Sequence, residues 1–408
     1  KSNLAPRPIN CTLQTTVVQS TSGNANLGGT STIQVPLGQS AYISNPYLRF
    51  KVTYGTSTNT VGLRFKGASQ SAMGLISSYQ SSINSTLIDN IQNFPQLADC
   101  ILTHSCSKEW LNADGQVLMA TATTESSVTA AGVANLGPAF DGVVTNGNSD
   151  TFCVPLLSLL GSQQAFPAWA INGILQLNIN WTQAVNNALY YTTGVFTGLT
   201  FSDVALVYDR IAVEGDFIAK MKSDMASSGA KYCYGFTNYQ TLTQVSAAST
   251  ISNNTGLNVS SLRGVVVVPI ATTVSSTSTG FPQPNTQTNF TVSLDGRLIN
   301  SSILNAVSTP AVVFQELQKC FSRSFDCSVT DNTNRLQFSG ALGVDGAKSF
   351  ATGVSACRVS EGLAFQGSPV SVVGLQLTAG SADYTNYIIY ISDYQLLIGA
   401  DGEVSLVR

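Results

Sequence analysis

The sequence contains a single histidine, and the residues around it are the first to weigh for chemistry. His104 lies in "CILTHSC", with Cys100 and Cys106 on either side, a set of imidazole and thiol donors of the kind that holds zinc. A closed structural zinc site needs four ligands, and no second Cys/His pair at matching spacing is present. Cys100 and His104 stand four apart on a segment with helical spacing, so the simpler reading is a partly buried helix end. The same lone histidine restricts nucleophilic catalysis. No Gly-x-Ser-x-Gly elbow occurs, and a cysteine protease has only His104 for its base.

Paired carboxylates come next, because two of them can cleave a glycosidic bond. Glu214 and Asp216 match the start of the E-x-D-x-x-E pattern of jelly-roll glucanases, but residue 219 is alanine and the third carboxylate is missing. Two positions apart on a helix, they point in different directions, and acids in a first turn are already explained by the helix dipole. "GVDGAKS" at 343–349 looks like a phosphate loop, yet there the lysine follows glycine directly, whereas Lys348 follows Ala347; a turn accounts for it. No Asp-x-Asp-x-Asp calcium loop occurs. Trp110, Trp169 and Trp181 are scattered and read as core or interface residues rather than a sugar-stacking platform. No residue is therefore assigned a catalytic, cofactor-binding or metal-binding role, and a protein without enzymatic activity or cofactor is expected.

Composition narrows the class further. The 408 residues leave room for two domains, each with its own core. Charged residues make up 10 % of the chain, against roughly 25 % in an average soluble protein, so the polar surface is mostly neutral Ser, Thr, Asn, Gln and Gly. With 43 % hydrophobic residues, disorder is excluded. The net charge of −3 and the lack of any long Lys/Arg run argue against direct nucleic-acid binding. The longest apolar run, "GVVVVPI" at 264–270, falls far short of the roughly 20 residues of a membrane-spanning helix. The chain opens at Lys1 with no apolar leader, so any processed segment is expected ahead of this numbering. Eight cysteines are too few for a disulfide-built scaffold, and most are expected as free thiols. One bridge, Cys320 to Cys327 beside a helix end, stays open.

Elements that could position these residues are mostly strands. "YLRFKVTY" puts Leu48, Phe50, Val52 and Tyr54 on one face and Arg49, Lys51 and Thr53 on the other. Period-2 alternation also fits "STIQVPL", "DVALVYDRI", "GVVVVPI", "NFTVSL", "NRLQFSG", "VVGLQLT" and "NYIIYISDYQLLI". Helical spacing appears in "NFPQLADCILTHS", "EGDFIAKMKSDMASSG" and "TPAVVFQELQKCFSR". The middle one, with acids at its start and Gly229 at its end, marks a boundary. The pattern predicts an all-β protein of two tandem β-sandwiches, with Greek-key or jelly-roll connections and a few short helices: 1–212, a connecting helix at 213–230, and 231–408.

The stretch "VPLLSLLGSQQAFPAWAINGILQLNINW" at 154–181 sets three patterns in succession. Pro155 suits a first helical position, Leu156, Leu159 and Leu160 have helical spacing, and Gly161 stops the turn. A proline- and glycine-punctuated loop follows, then strict alternation from Leu175 to Trp181. So short a helix must be docked on something larger.

This order of segments resembles the double jelly-roll major capsid proteins of tailless icosahedral DNA viruses, nearest to those of polinton-like viruses and virophages and more distantly to adenovirus hexon. In that family a Pro-Leu-rich turn precedes a strand late in the first barrel. "STLIDNIQNFPQL" at 85–97, the run from 203 to 241, "FTVSLDGRLINSS" at 290–302, "GVSACRVSEGLAFQG" and the closing "NYIIYISDYQLLIGADGEVSL" follow in the family's order over nearly the whole chain. Asn300 departs from the pattern, standing where relatives often have proline, and the loops are too short for a large hexon-type tower. The resemblance implies two tandem eight-stranded jelly-roll β-sandwiches, with the leucine turn plugging one end of the first barrel. It also implies a homotrimer forming a pseudo-hexagonal capsomer, with neighbouring capsomers, penton and minor capsid proteins as partners, in a virion shell assembled inside the host cell; an internal membrane stays open. The alternative from the residues alone is a carbohydrate-binding β-sandwich adhesin or viral spike.

Overall fold

In the computed structural model, residues 11–408 are described apart from 62, 122–142, 163, 192, 246–249, 277, 279, 285, 301–302, 322–337, 339–348, 358–366 and 381–382. The first half supplies eight main strands: β1 (Cys11–Gln19), β2 (Thr30–Pro36), β3 (Ala41–Val61), β4 (Ile76–Ile83), β5 (Thr86–Ile91), β6 (Ser149–Pro155), β7 (Ile174–Trp181) and β8 (Thr193–Val213). All pair antiparallel, in two sheets of order β1-β8-β3-β6 and β2-β7-β4-β5. Alternation decides which side chains fill the space between them. Leu48, Phe50, Val52 and Tyr54 are buried from one sheet, and Leu175, Leu177, Ile179 and Trp181 from the other. Trp181 bridges the layers: its ring lies 5.0 Å from Phe50 and stacks on Phe201 at 4.1 Å, while its Nε1 donates to Ser31 Oγ at 2.9 Å. Its one polar atom is thereby satisfied, as burial requires.

The second half contains β9 (Tyr232–Val245), β10 (Thr250–Ala271), β11 (Thr288–Leu294), β12 (Arg297–Leu298), β13 (Thr352–Ser355), β14 (Ser368–Thr378) and β15 (Tyr384–Ile398). These are hydrogen-bonded into one connected sheet, whereas the first half has two, because β10 serves twice. Residues Thr250–Leu262 pair with β14, and Leu262–Ala271 pair with β15, with β13 on the opposite edge of Gly264–Val267. The register shifts between Gly256 and Val259 and again between Val259 and Leu262, and Asn258 has φ +50°. Such bulges bend a strand and carry it from one layer to the other. Counting β10 in both layers, the orders are β9-β15-β10-β13 and β10-β14-β11-β12. These repeat the first half strand for strand, so each half is a jelly roll.

Helix α1 (Phe94–Ser105) lies between β5 and β6, and α3 (Pro310–Phe321) holds the same place between β12 and β13. Helix α2 (Gly215–Ser228) joins the halves; Glu214 is its N-cap, Asp216 lies in its first turn, and Gly229 at φ +66° ends it. Three shorter helices, Lys108–Asn112, Asp114–Met119 and Val185–Ala188, escape the periodic pattern because each spans under two turns. A hairpin turns at Asp295–Gly296, with both residues at positive φ between β11 and β12, as a tight two-residue turn requires.

Two expectations change. Pro155 does not begin a helix; it ends β6, and the leucine turn is a single 3-10 turn at Ser158–Gly161. That turn packs on β5 and β9, in the seam between the halves. "GVVVVPI" is not half-buried either: Val265 to Val268 are all buried because α3 and the barrel interior cover both faces. "NRLQFSG" lies outside the described residues except for Phe338.

Because Trp181 joins both layers, Trp181→Ala is expected to destabilise the protein by about 3–5 kcal/mol. Urea unfolding followed by near-UV circular dichroism checks this, and a loss below about 1 kcal/mol contradicts the packing described.

Candidate functional site

The residues singled out for chemistry are not brought together. His104 is buried against α3, its ring stacked on Phe321 at 6.0 Å and edge-on to Phe338 at 6.4 Å. Cys100 and Cys106 are buried on or next to the same helix, fully rather than partly. Among the described residues, no group of three or more His, Cys, Asp or Glu side chains is placed to hold a metal ion. Glu214 and Asp216 sit exposed at the start of α2. Trp110 is partly buried, and Trp169 packs edge-on against Tyr42 and Tyr232. Lys348 and Cys327 lie outside the described residues, and Cys320 is a buried free thiol. Asn300 accepts from the Val292 N–H at 3.0 Å and donates to Phe290 O at 3.3 Å, which ties the segment after β12 to β11.

The polar chemistry of the chain is concentrated instead at the seam between the barrels. Asp89, on β5, is buried and accepts four hydrogen bonds. Ser81 Oγ donates at 2.7 Å from β4, Ser158 Oγ and the Leu159 N–H at 3.2 Å donate from the leucine turn, and Asn238 Nδ2 donates at 2.8 Å from β9 of the second barrel. Burial pushes the Asp89 carboxyl above its ordinary value, and the four donors pull it back only in part. Around this knot, Tyr234 of β9 donates its hydroxyl to Leu159 O at 2.9 Å, and Thr241 Oγ1 donates to Gln92 O. Phe166 meets Tyr234 edge-on at 5.4 Å. Asn172 Nδ2 reaches Asp401 O at 2.8 Å.

A second tie runs through Lys66. Its ammonium donates to Asn186 O in the first barrel, and to Ser275 O at 2.7 Å and Ser278 Oγ at 2.8 Å in the second. With no carboxylate among these partners, burial lowers its pKa to about 8. The loop that carries Lys66 is set by Asp99 of α1, which accepts from the backbone N–H of Ala68 at 3.0 Å and of Ser69 at 2.7 Å. A Cβ on Gly67, at φ +96°, would stand 2.7 Å from Asp99 Oδ1, so glycine is required there. The cleft beside this tie has a volume of about 350 Å³ and includes Lys66, Asp99, Thr272 and Tyr387 in its lining. Both of its charged groups are already hydrogen-bonded to protein, which leaves it without a free charge to hold a substrate. Inside the second barrel, Arg263 and Asp393 form a buried pair at 3.7 Å, with Ser261 Oγ on the carboxylate at 2.7 Å and Thr237 Oγ1 on the guanidinium at 3.1 Å.

Truncating Asp89 strands buried donors on both barrels, so Asp89→Ala is expected to cost about 3 kcal/mol or more. The folded carboxyl binds its proton more tightly than the unfolded one, whose value is near 3.8, so its contribution to stability is full below that value and is lost as pH rises through the folded value. The stability of wild type relative to Asp89→Asn is therefore expected to fall as pH is raised from about 4. Urea unfolding of both proteins across pH checks this, and a difference that grows with pH contradicts it.

No protein-family model matches the sequence, and no curated protein matches it. Similarity lies in the fold. A chain of the PBCV-1 virus capsid is 14 % identical, with 100 % of this chain and 99 % of that one covered at a TM-score of 0.60. The Faustovirus major capsid protein is 10 % identical over 98 % of this chain and 92 % of its own, with a TM-score of 0.61. The mavirus major capsid protein is 9 % identical over 96 % and 89 %, with a TM-score of 0.54. With two jelly rolls of one strand order in a single chain, and these three matched nearly end to end, the fold is that of the double jelly-roll major capsid proteins.

Proposed function

We propose that this chain is the major subunit of an icosahedral virus shell and assembles as a homotrimer. Two barrels per chain and three chains per assembly give six barrels and a pseudo-hexagonal outline, which lets one subunit tile a closed surface. The observation that carries this reading is the pair of equivalent jelly rolls fixed side by side by a buried hydrogen-bonded seam. The end-to-end fold similarity to capsid proteins supports it. So does the chain's low charge, because a neutral polar surface buries large contacts without stranding unpaired ions.

On this reading the role is structural, and the protein resides in the virion shell. Its partners are further copies of itself, neighbouring capsomers, and penton and minor capsid proteins. Native mass spectrometry of the purified protein tests the proposal. A trimer with three-fold, hexagonal particles in negative stain is expected. A protein that stays monomeric at tens of micromolar and binds a defined glycan would instead favour an adhesin.

A further inference from the structure

Lys66 bridges the two barrels without a carboxylate among its partners. It meets Asn186 O in the first barrel, and Ser275 O at 2.7 Å and Ser278 Oγ at 2.8 Å in the second. Several ionisable groups lie on the elements packed around it. Its own segment brings Arg64, and α1 brings Asp99 and His104. Tyr190 and Tyr191 follow the Val185–Ala188 helix, and Asp383, Tyr384 and Tyr387 lie at the start of β15. Residues 270–283 carry none. Asp99, the one carboxylate lining the cleft among the described residues, is taken by the N–H groups of Ala68 and Ser69 and by Ser69 Oγ at 2.6 Å. Arg64 adds charge of the same sign, its guanidinium 4.0 Å over the Tyr190 ring and 5.8 Å from that of Phe281. An ammonium at this place has hydrogen bonds but no counter-ion, which is the costly way to bury a charge.

The same three partners suit a neutral amine. An ammonium needs three acceptors, whereas an amine offers two protons and one lone pair. Two of the partners are carbonyl oxygens, which only accept, and the third is a hydroxyl, which accepts or donates. With the N–H bonds kept on Asn186 O and Ser275 O, the Ser278 hydroxyl can turn its proton, now on Ser275 O at 3.0 Å, to Nζ. The turn stays closed, because the Ser278 N–H also donates to Ser275 O, at 3.2 Å. Every bond from Lys66 across the seam therefore survives loss of the charge. From this geometry we infer that Lys66 is a clasp engaged by alkali: shedding its proton above neutral pH tightens the contact between the barrels instead of releasing it.

The pKa of about 8 that burial gives this lysine points the same way. An unfolded lysine keeps its proton to about pH 10.5, so between the two values the unfolded chain binds more protons and stability rises with pH; below about 8 both states are protonated and the gain is absent. Tyr384 and Tyr387 stay out of this window, since burial raises both above their ordinary value of 10.0. Urea unfolding of wild type and of Lys66→Met, which keeps every neighbour but has nothing to titrate at this place, tests the clasp from about pH 7 to pH 10. The ratio of folding equilibrium constants, wild type over variant, is expected to rise about tenfold over this range; the full shift would give more, and contact with solvent reduces it. Lys66→Arg, charged throughout, is expected to show the same rise as a second reference. A ratio that stays flat or falls would overturn the inference. If both variants fail to fold, competitive acetylation of the wild type, read by peptide mass spectrometry, gives the midpoint of the amine directly. A midpoint near 8 is expected, and one at the ordinary 10.5 would overturn the clasp.

Discussion

The burial of one carboxylate ties the two halves together. Asp89 sits where water cannot reach it, and an unpaired charge there would cost several kcal/mol. It is tolerated because Ser81, Ser158, Leu159 and Asn238 each give it a hydrogen bond. One of those donors belongs to the second barrel, so β9 cannot leave β5 without exposing the carboxylate's loss. Apolar contact alone lets two barrels slide, whereas a directional knot fixes their angle. Lys66 adds a second fixed point, and Asn172 on Asp401 and Thr241 on Gln92 add others, so the relative orientation is held at several places.

The repeated topology gives that orientation its meaning. Each barrel places its helix between the fifth and sixth strands, α1 in one and α3 in the other, and the helices meet across the seam where His104 stacks on Phe321. The one departure, the continuous β10, shows how the same strand order survives a different connection. In the first barrel β2 and β3 are separated by a turn at Gly38, with φ +86°; in the second, bulges bend a single strand through the same corner. Sheet layering is set by the core and not by the breaks in the chain.

Much of the strand content was legible, and the seam was not. Leu48, Phe50, Val52 and Tyr54 announce an inward face because one side of β3 meets water and the other meets Trp181. Val265 to Val268 give no alternation because both sides of β10 are covered, and a run of valines is then the only signal. Pro155 misled for a definite reason: a proline is acceptable both at a helix start and on a sheet edge, and β6 is an edge strand. Asp89 stands in "STLIDNI" as one acid in a strand, and three of its four donors come from residues 69 to 149 positions away. Nothing local marks it. The only sequence hint is a charged residue between Ile88 and Asn90 in a chain where charge is scarce.

On the proposed reading, this chain is a rigid two-barrel tile of a shell. A cryo-electron microscopy reconstruction of the purified protein at side-chain resolution tests it most directly. Six barrels around a three-fold axis, with Asn238 on Asp89 inside every chain, is the predicted result. Particles in which the two barrels of a chain take up variable relative orientations, with the Asp89 contact open, would contradict it.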